Sequence, residues 1–172
     1  MSAVVEQSTG TGKDIDLLEY CCDPASTLTD ECNKRGQNGQ RLNRENGWDF
    51  DLDTTLARGK QWVQENRVRR HWGSTPCTEF SAWQVLNWHR WDSAGQDAHV
   101  ARRLAARKLN KRVMQMMLAS LDQSGGHVFW GWPQQCSGWW TQEMQWLRRQ
   151  LELRGRKVIT IKLDGCMVGA RS

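Results

Sequence analysis

Residues 67–81 read RVRRHWGSTPCTEFS, a stretch that combines a short strand with a Pro-Cys turn. The part from 67 to 73 is weakly apolar and leads directly into Ser-Thr-Pro-Cys. The ring of Pro76 fixes the backbone at that residue, so the following Cys77 is held in a defined position after the strand. A cysteine there is either a nucleophile or an inert buried thiol, and the residues alone leave both interpretations open.

On either side of this stretch, the chain alternates between strand and helix patterns. Apolar or alternating runs predict strands, and amphipathic runs between capping residues and glycines predict helices. The predicted strands lie at 15–22, 40–45, 67–73, 127–132 and 157–163, and the predicted helices at about 28–35, 53–66, 98–121 and from 144 to the stop at Gly155. Alternating strands and helices pair in parallel through right-handed crossovers. The expected fold class is α/β, a Rossmann-like and mostly parallel sheet with flanking helices.

The longest periodic stretch, 98–121, predicts an amphipathic helix with an apolar and a basic face. The apolar face is made of Ala101, Ala105, Leu109, Val113 and Met116, and the basic stripe of Arg103, Arg107 and Lys111. We expect the stripe to point to solvent, since burying unpaired cations is costly. Its cations either contact nucleic-acid phosphates or form a solvated helix face.

The length of 172 residues suits one core, so we expect a disordered N-terminus at 1–13 and a single domain over 14–172. The sequence contains neither an apolar span nor a leader, which predicts an intracellular protein, cytoplasmic or nuclear, without membrane contact. The six cysteines form no C-x-x-C pair and predict neither a disulfide framework nor a metal site. Basic residues are concentrated after residue 66, which favours an anionic partner such as DNA or RNA.

The run Gly73-Ser-Thr-Pro-Cys-Thr-Glu-Phe-Ser81 resembles the Pro-Cys loop of DNA cytosine-5 methyltransferases, Pro-Pro-Cys-Gln-x-Phe-Ser. The chain from about 15 to 170 also resembles methyltransferase-like segments of retroelement-type polyproteins of marine protists. The runs that carry this second resemblance are 45–49, 74–87, 125–128, 132–133 and 164–167.

The resemblance implies an S-adenosylmethionine-dependent enzyme of the class I methyltransferase type. Cys77, held by Pro76, would add to C6 of a flipped-out cytosine. The loop after the first strand, with Cys22, Asp23 and Ser26, would hold the amino-acid end of the cofactor. Glu45 or Asp49 would accept hydrogen bonds from its ribose hydroxyls or adenine amine.

Two departures from the family pattern predict a degenerate domain, and the end of the sequence at Ser172, soon after the last predicted strand, predicts a truncated one. The loop 22–26 contains no glycine, although the family's cofactor loop is glycine-rich so that backbone can approach the ligand. Gly131 stands where the family has the acid that binds the cytosine ring. The alternative is a non-catalytic nucleic-acid-binding or assembly module, in which Trp83 and Trp88 stack on bases beside the basic stripe, or close a small core instead.

Overall fold

The computed structural model describes residues 12–162, which form two compact units. The sheet unit comprises 12–76 and 108–131, and the helical unit comprises 77–107 and 132–162. The long helix α4 (Ser93–Ser124) contributes its first half to the helical unit and its second half to the sheet unit.

The sheet unit is a mixed α/β structure in which every described strand pairing is parallel. Its strands are β1 (Asp14–Ile15), β2 (Leu17–Tyr20), β3 (Gly39–Leu42), β4 (Arg67–Val68), β5 (Arg70–Gly73) and β6 (His127–Trp130). Four of them form one sheet in the order β3-β2-β5-β6, and β1 pairs with β4 separately. Helices α1 (Thr27–Lys34) and α2 (Asp53–Glu65) complete this unit, together with the second half of α4.

The core of the sheet unit joins its strands to α2 and to the second half of α4. Strand residues and helix residues such as Val63, Val113 and Met116 belong to one buried cluster. β2 supplies its centre, because all four of its residues are buried. Burial on both faces is typical of the inner strand of a parallel sheet.

The helical unit consists of short helices and turns. It contains α3 (Ala82–Asn87), the first half of α4, and α5 (Gln142–Leu153), with single 3-10 turns at Thr78–Phe80, Trp88–Arg90 and Ser137–Trp140. Among the described residues, no helix combines the length and apolar character needed to cross a membrane.

The predicted parallel α/β architecture is confirmed, and two local predictions are wrong. Residues 157–162 form no strand, although their alternating isoleucines suggested one; residue 163 and the predicted disordered residues 1–11 lie outside the described part of the chain. On α4, Ala101 and Ala105 are exposed, and the predicted apolar face is buried only in the second half of the helix, at Val113 and Met116. The apolar periodicity of the sequence extends into the first half of α4, but the sheet packs only against the second half.

Candidate functional site

The carboxyl ends of β2 and β5 form the switch point of the sheet, where successive crossovers leave in opposite directions. The ladder extends past the strands on both sides of β2: Cys21 N donates to Leu42 O at 2.9 Å, and Ser74 N donates to Tyr20 O at 3.1 Å. In open parallel sheets this position is where ligands bind, in the crevice beyond the strand ends. It is therefore the first place to look for a site in the sheet unit.

A buried carboxylate lies beside this switch point. Glu19 is only 3% exposed, and its oxygens accept hydrogen bonds from Ser26 Oγ at 2.7 and 2.9 Å and from Thr29 Oγ1 at 2.7 Å. Arg41 occupies the register position next to Glu19 on β3, and it donates to the carbonyl oxygen of Ser26. Sequence reasoning missed Glu19, although a charged residue inside an apolar run followed by hydroxyl residues was a usable signal.

The loop after β2 is built around a left-handed residue and an aspartate turn. Cys21 has φ +55°, a conformation that side-chain-bearing residues adopt at a cost of about 1–2 kcal/mol. Asp23 then accepts Ala25 N on its side chain at 2.8 Å, and its carbonyl accepts Ser26 N at 2.9 Å. Of the predicted cofactor residues, Cys22 is buried, Asp23 is exposed, and Ser26 is turned towards Glu19.

Neither thiol of this loop is a nucleophile at neutral pH. Burial, with smaller contributions from Cys22, Asp51 and Asp49 against the lowering effect of Arg44, raises the pKa of Cys21 to about 12. Burial, followed by the Glu19 carboxylate, raises the pKa of Cys22 to about 12. Both sulfurs therefore remain protonated.

The segment after β3 presents carboxylates beside the same loop. Glu45 is exposed at a turn whose cap is a reciprocal pair of hydrogen bonds between Asn43 and Asn46. Asp49 is bound by Arg44 at 3.3 Å and accepts a backbone N–H of its own turn. The hydrogen bond from Cys21 N to Leu42 O places the starts of the two predicted cofactor segments next to each other.

The Pro-Cys turn divides between the two units. Pro76 is the last residue of the first segment of the sheet unit, and half-buried Cys77 begins the helical unit. Cys77 O accepts Phe80 N at 2.9 Å, which closes the 3-10 turn behind the cysteine. In the helical unit, burial raises the pKa of Cys136; a hydrogen bond at the Gly138 backbone opposes this rise, and nearby Cys77 adds a smaller contribution to it.

Gly131 belongs to the sheet unit and extends the pairing of β6 with β5. Its N–H donates to Gly73 O at 3.1 Å. A Cβ atom at Gly131 would lie 3.0 Å from Cζ2 of Trp72, so a side chain there needs a small shift of that ring. The expected proximity of Gly131 to Cys77 stays a prediction.

The helical unit contains a carboxylate–imidazole pair that the sequence analysis did not identify. Glu79 Oε2 lies 3.1 Å from Nδ1 of buried His99, and Glu79 Oε1 lies 3.3 Å from Nε of Arg102. The His99 ring packs against Trp91 at 5.1 Å and Trp88 at 5.9 Å between ring centroids. No sequence motif signals this pair, since Glu79 and His99 lie in different elements.

The residues predicted to contact nucleic acid are mostly engaged within the chain. Arg103 lies over the Phe80 ring, with its Cζ atom 5.4 Å from the ring centroid, and donates to Ser137 Oγ at 3.3 Å. Arg107 binds both oxygens of Glu143 at 2.9 Å. The expectation that these two cations point to solvent is therefore wrong, because the helical unit supplies partners for them.

The other members of this predicted set differ in exposure. Lys111 is half-buried, and Trp88 packs on Trp91 and His99. Trp83 is 72% exposed on α3, so it alone of the predicted stacking residues presents most of its ring to solvent.

Among residues 12–162, no group of three or more histidine, cysteine or acidic side chains is arranged to hold a metal ion. The cysteines at 21, 22, 32, 77 and 136 are free thiols, and Cys166 lies outside the described residues. Comparison of the chain with protein-family models, with curated proteins and with solved structures gives no match.

Proposed function

We propose that the chain is a cytosine-5 methyltransferase-like domain that binds S-adenosylmethionine at the switch point of its sheet and has an incomplete catalytic apparatus. The observation that carries this proposal is the sheet order β3-β2-β5-β6 with all strands parallel. That order places the loops after β2 and β3 at one crevice, the position at which doubly wound sheets hold nucleotide ligands. More specifically, we propose that the fold is of the class I methyltransferase type.

The charges at this edge of the sheet suit the cofactor. S-adenosylmethionine carries a sulfonium, an ammonium and a carboxylate, so its net charge is positive. The carboxylates at this edge, Asp23, Glu45, Asp49 and Asp51, outnumber the nearby cations Arg41, Arg44 and Arg58. Complementary charge favours binding of a cationic ligand.

Individual residues fit different parts of the cofactor. Glu45 is exposed and follows β3, the strand that α1 connects to β2. It would accept hydrogen bonds from the ribose hydroxyls, as acidic residues do at this position of dinucleotide-binding sheets. Asp23 would bind the ammonium group. The left-handed backbone at Cys21 turns the chain where the cytosine-5 methyltransferases that it resembles use glycine, so the absence of glycine does not prevent the turn.

When bound, the cofactor supplies a methyl group on an electrophilic sulfonium. The sulfur of Cys77 would add to C6 of cytosine, making C5 nucleophilic. Pro76 fixes the backbone from which Cys77 emerges. Gly131 provides no acid to protonate or hold N3 of the ring, and the loss of such a group costs about 10²-fold or more in rate.

Calorimetric titration of the purified chain with S-adenosylmethionine tests the proposal directly. We expect micromolar binding that weakens about tenfold in Glu45→Gln, while the control Glu152→Gln, an exposed residue of α5, binds like the wild type. S-adenosylhomocysteine should bind more weakly, since it lacks the sulfonium charge. Absence of binding, or equal loss in both variants, contradicts the proposal.

The second candidate is a binding or assembly module without cofactor. It is favoured by α3, which has no buried residue and exposes Trp83, Val85 and Leu86 by 63–72%. Exposed apolar residues grouped on one short helix are typical of interaction surfaces. This module requires no S-adenosylmethionine, so the same titration separates the two candidates.

A further inference from the structure

One face of the sheet carries an aromatic pair beside a basic pair. Trp72 of β5 is the register partner of Phe129 of β6, and Arg70 is the register partner of His127. Residues two apart on a strand point to the same face, so all four side chains share one side of this two-strand region. The Trp72 and Phe129 rings lie 6.0 Å apart between centroids with planes 23° from parallel.

This face is open enough to receive a ligand. Phe129 is 41% exposed and Trp72 is half-buried. The two rings line a cavity of about 310 Å³, together with Leu28 and Arg35 of the α1 region and with Arg70. A volume of that size matches the lower end of small-ligand sites, which are mostly apolar with a few polar groups at the rim.

The rim of the cavity carries surplus positive charge. Arg35 is exposed, and Arg70 makes only a long contact of 3.5 Å to Gln37 Oε1. The rim carboxylate of Glu31 is compensated by Lys34 at 2.7 Å. Neither guanidinium group forms an ion pair with a carboxylate among the described residues. Burial, followed by Asp16, raises the pKa of nearby Cys32, and the two arginines oppose that rise.

We infer that this face binds single-stranded nucleic acid, with bases stacked on Trp72 and Phe129 and backbone phosphates at Arg70 and Arg35. Aromatic residues displayed on a sheet surface stack unpaired bases, and neighbouring cations hold the phosphates. The bases of a duplex are already stacked on each other, so the exposed rings select single strands. The site shares no residue with the proposed methyl-donor crevice or with the basic stripe of α4.

Fluorescence anisotropy with a labelled 15-nucleotide oligothymidylate and the full chain tests this site. Phe129→Leu keeps an apolar side chain but removes the ring, and we expect roughly a five- to hundredfold loss of affinity. Phe129→Tyr should bind like the wild type, because the stacking ring is kept. Trp140→Leu is the matched control, since Trp140 is also a surface aromatic, 80% exposed on the helical unit.

Salt dependence separates the phosphate contact from the stacking contact. Arg70→Gln should reduce the slope of log affinity against log salt concentration by about 0.7, the contribution of one phosphate contact on a single strand. Phe129→Leu should weaken binding with the slope unchanged. The exposed Arg149→Gln of α5 serves as the charge control and should leave both quantities as in the wild type.

Competition and duplex-binding measurements distinguish a single-strand site from a small-molecule site or a duplex site. We expect thymidine monophosphate to compete at least a hundredfold less effectively than the oligonucleotide, and the matching duplex to bind more weakly than the single strand. Equal competition by the mononucleotide would overturn the inference in favour of a small-molecule site. Preference for the duplex, or wild-type affinity of Phe129→Leu and Arg70→Gln, would overturn it as well.

Discussion

Thr29 donates its hydroxyl hydrogen to Oε2 of Glu19 over 2.7 Å, and each residue is only 3% exposed. The bond ties α1 to the central strand of the sheet at the switch point. A buried carboxylate that loses such a donor keeps the cost of its desolvation. The stability of the sheet unit therefore depends on a polar contact inside an otherwise apolar strand.

Thr29→Val tests that dependence, because valine has the same shape without the donor. We expect a loss of about 1.5–3 kcal/mol in the free energy of unfolding, the usual range for a hydrogen bond to a charged group. Thr29→Ser keeps the hydroxyl and should lose less. Equal stability of the valine variant and the wild type in urea titrations would show that Ser26 alone satisfies Glu19.

His71 should make stability fall in acid. It is fully buried beside Tyr20, whose hydroxyl lies 2.9 Å from His71 Nδ1, and burial lowers its pKa from 6.5 to about 3. The unfolded chain therefore binds a proton between these values that the folded chain does not. This contribution to stability is complete above pH 6.5 and is lost as the pH falls towards 3, by up to about 1.4 kcal/mol per pH unit.

The measurement is urea unfolding of the wild type and His71→Met between pH 4 and pH 7. The difference between the two free energies of unfolding should change with this slope, because all other titrating groups are common to both proteins. Parallel curves would mean that His71 binds its proton equally in the folded and the unfolded chain.

Cys21 and Cys32 should respond in opposite directions to the same pair of substitutions. At Cys21, with φ +55°, glycine should give a more stable protein than alanine by about 1 kcal/mol, since only glycine adopts this conformation freely. At Cys32, inside α1, alanine should be more stable than glycine by a similar amount. Thermal unfolding of the four variants measures both differences, and the same sign at both sites would refute a strained Cys21.

Introducing an acid at position 131 should raise any methyl-transfer activity, and Cys77→Ala should abolish that activity. The carboxyl group introduced by Gly131→Glu would protonate or hold N3 of the base, and we expect the rate of methyl transfer to rise about 10²-fold. Gly131→Ala carries the same close approach to Trp72 without the acid, so the comparison isolates the carboxyl. The assay is transfer from labelled S-adenosylmethionine to cytosine-containing DNA, with covalent trapping on a 5-fluorocytosine oligonucleotide.

If neither Gly131 variant transfers methyl groups while the cofactor still binds, the geometry around Cys77 is the missing part. If Gly131→Glu and Gly131→Ala trap the oligonucleotide equally, the acid has no role. Trapping that survives Cys77→Ala would remove this cysteine from the mechanism.

The sheet was predictable from sequence where local signals agreed with long-range pairing. The run before the Pro-Cys turn and the run at 127–130 became β5 and β6. The alternating segment at 157–162 shows the limit of this reasoning, since alternation makes a strand possible but a partner edge decides whether it forms.

The candidate site was predictable only in part, for a related reason. Cys22, Asp23, Glu45 and Asp49 follow strand ends, and strand ends can be located from a sequence. Glu19 was hidden because its role depends on hydroxyl groups that α1 brings back onto the strand. Arg107 was expected in solvent because the periodicity of α4 alone does not show that Glu143 of α5 packs beside it.

The pairing of residue 70 with residue 127 has a consequence for how the sheet unit folds. β2, β3 and β5 emerge from the ribosome together, whereas β6 follows only after the segment that carries α3 and α4. Closing so long a loop costs entropy before any contact rewards it, so β6 should dock last and slowly. Until then the edge of β5 is unpaired beside Trp72, and the nascent chain passes through a stage in which that edge is open to another strand.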